Sequence, residues 1–181
     1  MRSDNILLTR IKQDDQQALE ELFEKYYNRL CDFAFQYVHS FDLTEEVVSD
    51  VFLKIWQKRG NLTGSGSFKA YLYTAVRNKA LNYVQKEKRP IDSLQDHPRQ
   101  VDSKRYQPEE ELLFKEFKNH IEALINTLPP RRKQIFKLSR LEGFTYREIA
   151  GILSISVNTV QNQMVQAVKQ LSSSAVVDKK A

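Results

Sequence analysis

The segment TYREIAGILSISVNTVQNQM, residues 145–164, contains side chains whose types and spacing suit the recognition of DNA bases. Thr145-x-x-Glu148 fits a capping box and Ser156 can cap a further helix, so the segment predicts two short helices joined by a tight turn. In such units the second helix enters the DNA major groove, where Asn and Gln pair with adenine and Thr contacts the thymine methyl group. The candidate base-contacting residues are Asn158, Thr159, Gln161, Asn162 and Gln163, and Ser156 marks the helix N-terminus as a candidate phosphate contact.

The second of these helices has no charged side chain between Ser156 and Val168. Contacts between basic side chains and phosphates supply most of the affinity of proteins for DNA. We therefore expect phosphate contacts from Arg131, Arg132 and Arg147, and from the backbone N–H groups at the start of the helix. A single unit of this kind would still bind weakly, which favours a partner that tethers it on DNA.

The alternative interpretation is a helical hairpin that serves only packing. The small residue Ala150 suits a close crossing of two helices, and together with the caps and the polar second helix it favours DNA binding. Ser154 stands at the turn, where such units often have glycine, and serine adopts that conformation less freely.

A second candidate nucleic-acid surface is the segment FKAYLYTAVRNKALNYVQKEKR, residues 68–89, in which aromatic and basic residues alternate. Aromatic rings can stack on unpaired bases while Lys and Arg contact the phosphates. The alternative is that several aromatics belong to the core: Leu72, Val76 and Leu81 are predicted core residues, and the pattern leaves both roles open for the tyrosines. The candidates are Tyr71, Arg77, Asn78, Lys79, Tyr83, Lys86, Lys88 and Arg89.

A third candidate surface is acidic and lies on the helix predicted around EEVVSDVFLKIWQ, residues 45–57. Residues 14–50 contain ten acidic residues against two basic ones, whereas residues 67–89 contain six basic residues against one acidic. The residues expected to point outward are Glu45, Glu46, Ser49 and Asp50, while Phe52, Ile55 and Trp56 anchor the helix. Such an acidic surface either binds a protein partner or is simply solvated.

The composition bounds the class of protein. Only 5 glycines and 5 prolines occur in 181 residues, and the apolar residues recur at helical spacing, so we expect an all-α chain. The single cysteine, Cys31, excludes an intrachain disulfide and suits a reducing cytoplasm. It is expected to be a small core residue. No signal-peptide core and no apolar run long enough for a membrane span is visible.

The elements that would position these residues form two small helical domains joined by an extended linker. Residues 1–89 form the first domain, 90–108 the linker, 109–172 the second domain, and 173–181 a frayed tail. In the first domain we predict helices over residues 16–39, capped by Asp14 or Asp15, after Asp42, with Asp42-x-x-Glu45 as capping box, and over residues 68–88, capped by Ser67. In the second domain we predict a helix from residue 109, a helix over residues 131–141 and the helix pair, whose last helix ends after Leu171. The predicted core residues of the helix from 109 are Leu112, Leu113, Phe117, Ile121 and Leu124.

The order of these pieces, ending with LPPRRKQIFKLSRLEGFTYREIA before the turn, resembles the extracytoplasmic-function group of bacterial RNA polymerase sigma factors over about residues 14–171. The resemblance implies that Glu45, Glu46, Ser49, Asp50 and Trp56 dock on the β′ clamp of core polymerase. It implies that residues 68–89, with Asn61 and Ser65 of the preceding loop, bind and open the downstream ("-10") promoter element as single strands, and that the last helix recognises the upstream ("-35") duplex. The family also implies a contact with the β flap and the existence of anti-sigma partners for some members.

Two other classes of protein remain open. One is a stand-alone helix-turn-helix regulator with an N-terminal sensing domain, which would need a dimer and a palindromic site. The other is a protein-interaction module that sequesters a sigma factor. No catalytic constellation, phosphate-binding glycine loop or metal-ligand spacing is visible, so we expect no enzyme activity, cofactor or metal.

Overall fold

The computed structural model describes residues 2–62, 67–87 and 119–177. All regular structure in these residues is helical, which confirms the all-α prediction. The helices are α1 (Arg2–Lys12), α2 (Gln16–Val38), α3 (Phe41–Gln57), α4 (Phe68–Glu87), α5 (119–126 in its described part), α6 (Pro130–Arg140), α7 (Tyr146–Leu153) and α8 (Val157–Val177), with a short 3₁₀ turn at Arg59–Asn61.

The chain divides into two compact units, and α1 to α4 lie in the first of them. Helix α2 is its centre, since it packs against α1, α3 and α4. Its buried stripe meets buried aliphatic residues of the other helices, and full burial of each large aliphatic side chain contributes about 1.5–3 kcal/mol. The central residues of this core are Leu22, Leu30, Ala34, Val47, Val48, Ile55, Leu72 and Val76. Cys31 is buried among them, as predicted.

Helix α1 was not predicted from the sequence, where the N-terminus was considered only as a possible signal peptide. Leu7, Leu8 and Ile11 follow helical spacing and are buried. The buried Asp4 carboxylate accepts hydrogen bonds from Lys25 Nζ at 2.5 Å and Tyr26 Oη at 2.9 Å, both on α2. These contacts fix α1 on α2.

The caps of α2 and α4 confirm the predictions, but the start of α3 differs. Asp15 accepts a hydrogen bond from the Ala18 N–H, and Ser67 accepts one from the Ala70 N–H. Helix α3 begins at Phe41 with Ser40 as its cap, so the capping box predicted at Asp42-x-x-Glu45 is wrong. The aromatic ring of Phe41 packs on Phe35 with ring centroids 4.8 Å apart, which explains the earlier start.

The second unit contains α5, α6 and α8, with α6 packed along α8. Pro130 occupies the first turn of α6, where its missing N–H costs no hydrogen bond. The core prediction for α5 was partly wrong: Ile121 is 38% exposed, whereas Ile125, which was not predicted, is buried. Helix α8 continues to Val177 rather than ending after Leu171.

Several predictions lie outside the described residues. These are the linker at 90–108, the helix from 109 to 118 with Leu112, Leu113 and Phe117, and the side chains of Ser65, Lys88 and Arg89.

We predict that Asp4→Asn lowers the free energy of unfolding by about 1 kcal/mol at neutral pH, since a part-buried charged hydrogen bond is lost. Burial alone would raise the pKa of Asp4, but the hydrogen bonds from Lys25 and Tyr26 outweigh it and lower the pKa below its ordinary 3.8. Because the pKa of Asp4 is lower in the folded chain than in the unfolded chain, the ionised Asp4 stabilises the fold at pH values above the unfolded-state pKa. This stabilisation is lost as the pH falls through the folded-state pKa.

The difference in the free energy of unfolding between Asp4→Asn and the unmodified chain should therefore be constant from pH 6 to 8 and shrink below about pH 4. Thermal unfolding at a series of pH values measures it, with the exposed Glu20→Gln on α2 as control. A difference that grew with acidification would contradict the assignment.

Candidate nucleic-acid and protein interfaces

The α7–α8 hairpin has the helix-turn-helix geometry that the sequence predicted. The Thr145 N–H donates to Glu148 Oε2 at 2.8 Å and the Glu148 N–H donates to Thr145 Oγ1 at 3.3 Å, which confirms the capping box. Ser156 Oγ accepts from the Thr159 N–H at 3.0 Å and so caps α8. Between the helices Ser154 has φ 53, the left-handed conformation in which a serine is strained and a glycine is not.

Three of the candidate base-contacting residues are presented to solvent on α8. Asn158, Gln161 and Asn162 are exposed and share one stripe, since they are three and four positions apart. Thr159 is half-buried, and its hydroxyl lies 2.8 Å from Ser156 Oγ, so both hydroxyls take part in the cap. Gln163 is half-buried as well.

Sequence reasoning missed two apolar residues on the same helix. Val157 and Val165 are 43% and 59% exposed, and Val165 continues the stripe of Asn158, Gln161 and Asn162. An exposed apolar side chain at such a position can contact a thymine methyl group. The helical spacing of Val165 from these polar residues could have revealed from the sequence that it lies on the same face.

The three arginines predicted to contact phosphate have different environments. Arg131 and Arg147 are exposed. Arg132 instead donates to Gln163 Oε1 at 3.3 Å and to Gln170 Oε1 at 2.8 Å. Gln170 in turn donates to the carbonyl of Thr127 at 3.1 Å. Arg132 therefore joins α6 to α8 within the unit.

The "α3 surface" is the set predicted to bind polymerase, Glu45, Glu46, Ser49, Asp50 and Trp56. Glu45, Glu46 and Ser49 are exposed, whereas Asp50 and Trp56 are half-buried. The guanidinium group of Arg59 lies 4.4 Å from the Trp56 ring and also donates to the Trp56 carbonyl, so part of the indole is covered.

Sequence reasoning also missed Leu53, which is 54% exposed. It lies four residues after Ser49 and three after Asp50, and therefore on the same face of α3. An apolar side chain within an acidic surface is typical of the centre of a protein interface with a charged rim.

The "α4 surface" is the set predicted to bind single-stranded DNA on and before α4. Its described members differ in exposure. Asn61, Tyr71, Asn78 and Lys86 are exposed, and the rings of Phe68 and Tyr71 stack with centroids 5.7 Å apart. The half-buried Arg77 lies 3.4 Å from Asn78 Oδ1.

Two members of the α4 surface, Lys79 and Tyr83, instead contact the α3 surface. Tyr83 Oη donates a hydrogen bond to Glu46 Oε1 and lies 3.4 Å from Asp50 Oδ2. Lys79 Nζ forms an ion pair with Asp50 Oδ2 at 2.6 Å and lies 5.0 Å from the Tyr83 ring centroid. The hydrogen bond to Glu46, burial and the two negative charges raise the pKa of Tyr83 well above its usual 10, so the phenol keeps its proton.

An apolar groove of about 390 Å³ runs between α5, α6 and α8 in the second unit. Arg140 lies among residues that are otherwise mainly aliphatic or aromatic. The lining residues are Ile121, Leu124, Ile125, Phe136, Arg140, Val168, Leu171 and Ser172.

Within the described residues no three His, Cys, Asp or Glu side chains are grouped as a metal site would require. None of the helices in the same part of the chain is long and apolar enough to cross a membrane.

Two family models match the chain in the order of the two units. Residues 22–90 match sigma-70 region 2, and residues 118–171 match sigma-70 region 4. The first match contains the α3 and α4 surfaces, and the second contains the helix-turn-helix.

Known proteins are similar over nearly the whole chain. The extracytoplasmic-function (ECF) RNA polymerase sigma-E factor of Haemophilus influenzae is 29% identical over 177 residues, and the alignment covers 91% of each protein. The protein of the same name from Escherichia coli strain K12 is 27% identical over 176 residues, covering 91% of this chain and 90% of that one.

Solved structures of two proteins share the fold. CnrH, in complex with the cytosolic domain of CnrY, superposes with a TM-score of 0.59 at 18% identity, covering 99% of both chains. RpoE from Bartonella quintana, in complex with the anti-sigma factor NepR, superposes with a TM-score of 0.58 at 22% identity, covering 88% of this chain and 97% of that one.

We predict that Arg132→Ala lowers the free energy of unfolding of the second unit by about 1 kcal/mol, since its hydrogen bonds to Gln163 and Gln170 are lost. The neighbouring Arg131→Ala is the matched control, because both arginines lie in the first turn of α6 and only Arg131 is exposed. Its effect should stay within about 0.5 kcal/mol. Chemical denaturation measures both variants, and equal losses would contradict a structural role for Arg132.

Proposed function

This chain belongs to the sigma-70 family, in its extracytoplasmic-function group, and we propose that it binds core RNA polymerase, opens the downstream promoter element and recognises the upstream element. The observation that carries the proposal is the exposed row Asn158, Gln161 and Asn162 on the capped second helix of a helix-turn-helix. The row lies within residues 118–171, which match sigma-70 region 4, and this position supports the proposal.

The uncharged part of α8, residues 157–168, fits a sigma factor better than a stand-alone regulator. A DNA-binding unit whose second helix lacks basic residues between 156 and 168 gains little affinity from phosphates. When polymerase holds the complex on DNA, that helix needs only to discriminate between sequences, because the tether raises its effective concentration. Amide and methyl-bearing side chains suffice for discrimination.

For the first unit we propose that the α3 surface binds the β′ clamp of core polymerase. Acidic side chains around the exposed Leu53 fit a basic partner with an apolar centre. The exposed Tyr71, Asn78 and Lys86 of α4, with Asn61 before it, would contact the separated strands by stacking and by phosphate contacts. Ser65, Lys88 and Arg89 keep the same proposed role from the sequence.

The remaining partners are also proposals. The second unit would contact the β flap, and an anti-sigma factor would bind the chain, as NepR is in complex with RpoE in the solved structure. The chain would act in the cell interior, where polymerase works, and would supply no catalytic chemistry itself.

A reconstituted transcription experiment tests the function. The purified chain is mixed with bacterial core polymerase and a library of random promoter fragments, and the run-off transcripts are sequenced. Transcripts that depend on the chain and share two sequence elements are expected. Failure to bind core, together with dimeric binding of the chain alone to a palindromic site, would instead establish a stand-alone regulator.

We predict that Asn158→Ala and Gln161→Ala each relax the preference at one upstream-element position by about 1–3 kcal/mol, because a base-edge contact is lost. General DNA affinity should change little. Transcription from the library by each variant measures this, with Ser173→Ala near the other end of α8 as control. An equal loss on all promoter sequences would argue against base recognition by this row.

We predict that Lys86→Ala combined with Lys88→Ala slows promoter opening at saturating polymerase, because two phosphate contacts are lost. The slope of log affinity against log salt for single-stranded downstream-element DNA should fall by about 1.4, or 0.7 per contact. Binding of the polymerase complex to this strand measures it, with Lys12→Ala combined with Lys169→Ala as a charge-matched control. Promoter opening at the unmodified rate would show that the C-terminal end of α4 does not contact the DNA.

A further inference from the structure

The contact between Tyr83 and the α3 surface assigns this tyrosine a different partner from the one that the sequence indicated. Its hydroxyl donates to Glu46 and lies 3.4 Å from Asp50, two carboxylates one turn apart on α3. Like charges at this spacing repel each other. The ion pair of Lys79 with Asp50 offsets this repulsion, and the Tyr83 hydroxyl donates its one proton to Glu46.

At neutral pH the Tyr83 phenol is protonated, as an ordinary tyrosine is, and the hydrogen bond to Glu46 raises its pKa further. Glu46 is exposed, and an exposed glutamate otherwise samples several rotamers. Ordering such a side chain opposes binding, so a carboxylate that is already held can bind a basic partner more tightly.

The same geometry disfavours a role for Tyr83 in DNA binding. Stacking on a base requires an open ring face, whereas the Lys79 ammonium lies 5.0 Å from the Tyr83 ring centroid. Lys79 is held there by its ion pair with Asp50. By contrast, the tyrosine that is 46% exposed on α4 is Tyr71, which stacks on Phe68.

We propose that Tyr83 is a positioning residue of the polymerase-binding surface: its hydroxyl holds the Glu46 carboxylate in place for a basic helix of polymerase, beside the Asp50 carboxylate that Lys79 holds. Tyr83 then belongs with α3 in function although it lies on α4. This role rests on the proposed docking of the α3 surface on polymerase.

The test uses the full chain with the Tyr83→Phe substitution, which keeps the ring and removes only the hydroxyl. Its affinity for core polymerase should fall about fivefold, the size of one net hydrogen bond. The rate of promoter opening at saturating core should equal that of the unmodified chain. Tyr37→Phe, at a half-buried tyrosine of α2 outside the α3 and α4 surfaces, is the matched control and should leave core affinity unchanged.

A double-mutant cycle separates positioning from general stabilisation. In a chain with Glu46→Ala, Tyr83→Phe should cause no further loss of core affinity, because the carboxylate that it positions is absent. A fivefold loss in that background as well would show that the hydroxyl acts only through the fold, and thermal midpoints of all variants would identify such an effect.

Two other results would overturn the role. If Tyr83→Phe leaves the affinity for core polymerase unchanged but slows promoter opening at saturating core, Tyr83 acts in DNA binding and not in polymerase binding. Failure of the unmodified chain to bind core would overturn the proposed function itself, and the role of Tyr83 with it.

Discussion

The burial of one apolar stripe on α2 is the constraint on which the first unit depends. Because α1, α3 and α4 all pack on this helix, their outward faces are fixed by which residues they bury against it. Because Val47, Val48 and Ile55 are buried in the core, Glu46 and Asp50 lie on the other side of α3. On α4, burial of Leu72 and Val76 fixes in the same way which residues lie on the surface. The two candidate surfaces are therefore consequences of the core, and they meet where α3 and α4 pack together.

The two units divide the work of binding in a physically consistent way. The first unit concentrates opposite charges on neighbouring helices, so it can bind a protein and a nucleic acid at once. The second unit places uncharged side chains on α8, which can discriminate between bases but provide little affinity. Under the proposed function, core polymerase supplies the affinity for promoter DNA that these side chains lack.

Some local features could be predicted because the interactions that produce them are local in sequence. The capping box at Thr145 and Glu148, the caps at Ser156 and Ser67, and the left-handed turn near Ser154 all involve residues within a few positions of one another. Other features depended on distant packing. Helix α1, for example, is stabilised by contacts of Asp4 with Lys25 and Tyr26 of α2, more than twenty positions away in the chain.

By itself the sequence determined the all-α class, the helix-turn-helix with its neutral second helix, and the family, because helical periodicity, capping residues and motif order are properties of the chain as written. Only the tertiary structure decided which candidate residues are presented and which are engaged within the protein. Arg132 bonds to Gln163 and Gln170, and Tyr83 bonds to Glu46, 37 positions away in the chain. Residue type shows that a side chain can bind DNA, but its neighbours in space determine whether it is available to do so.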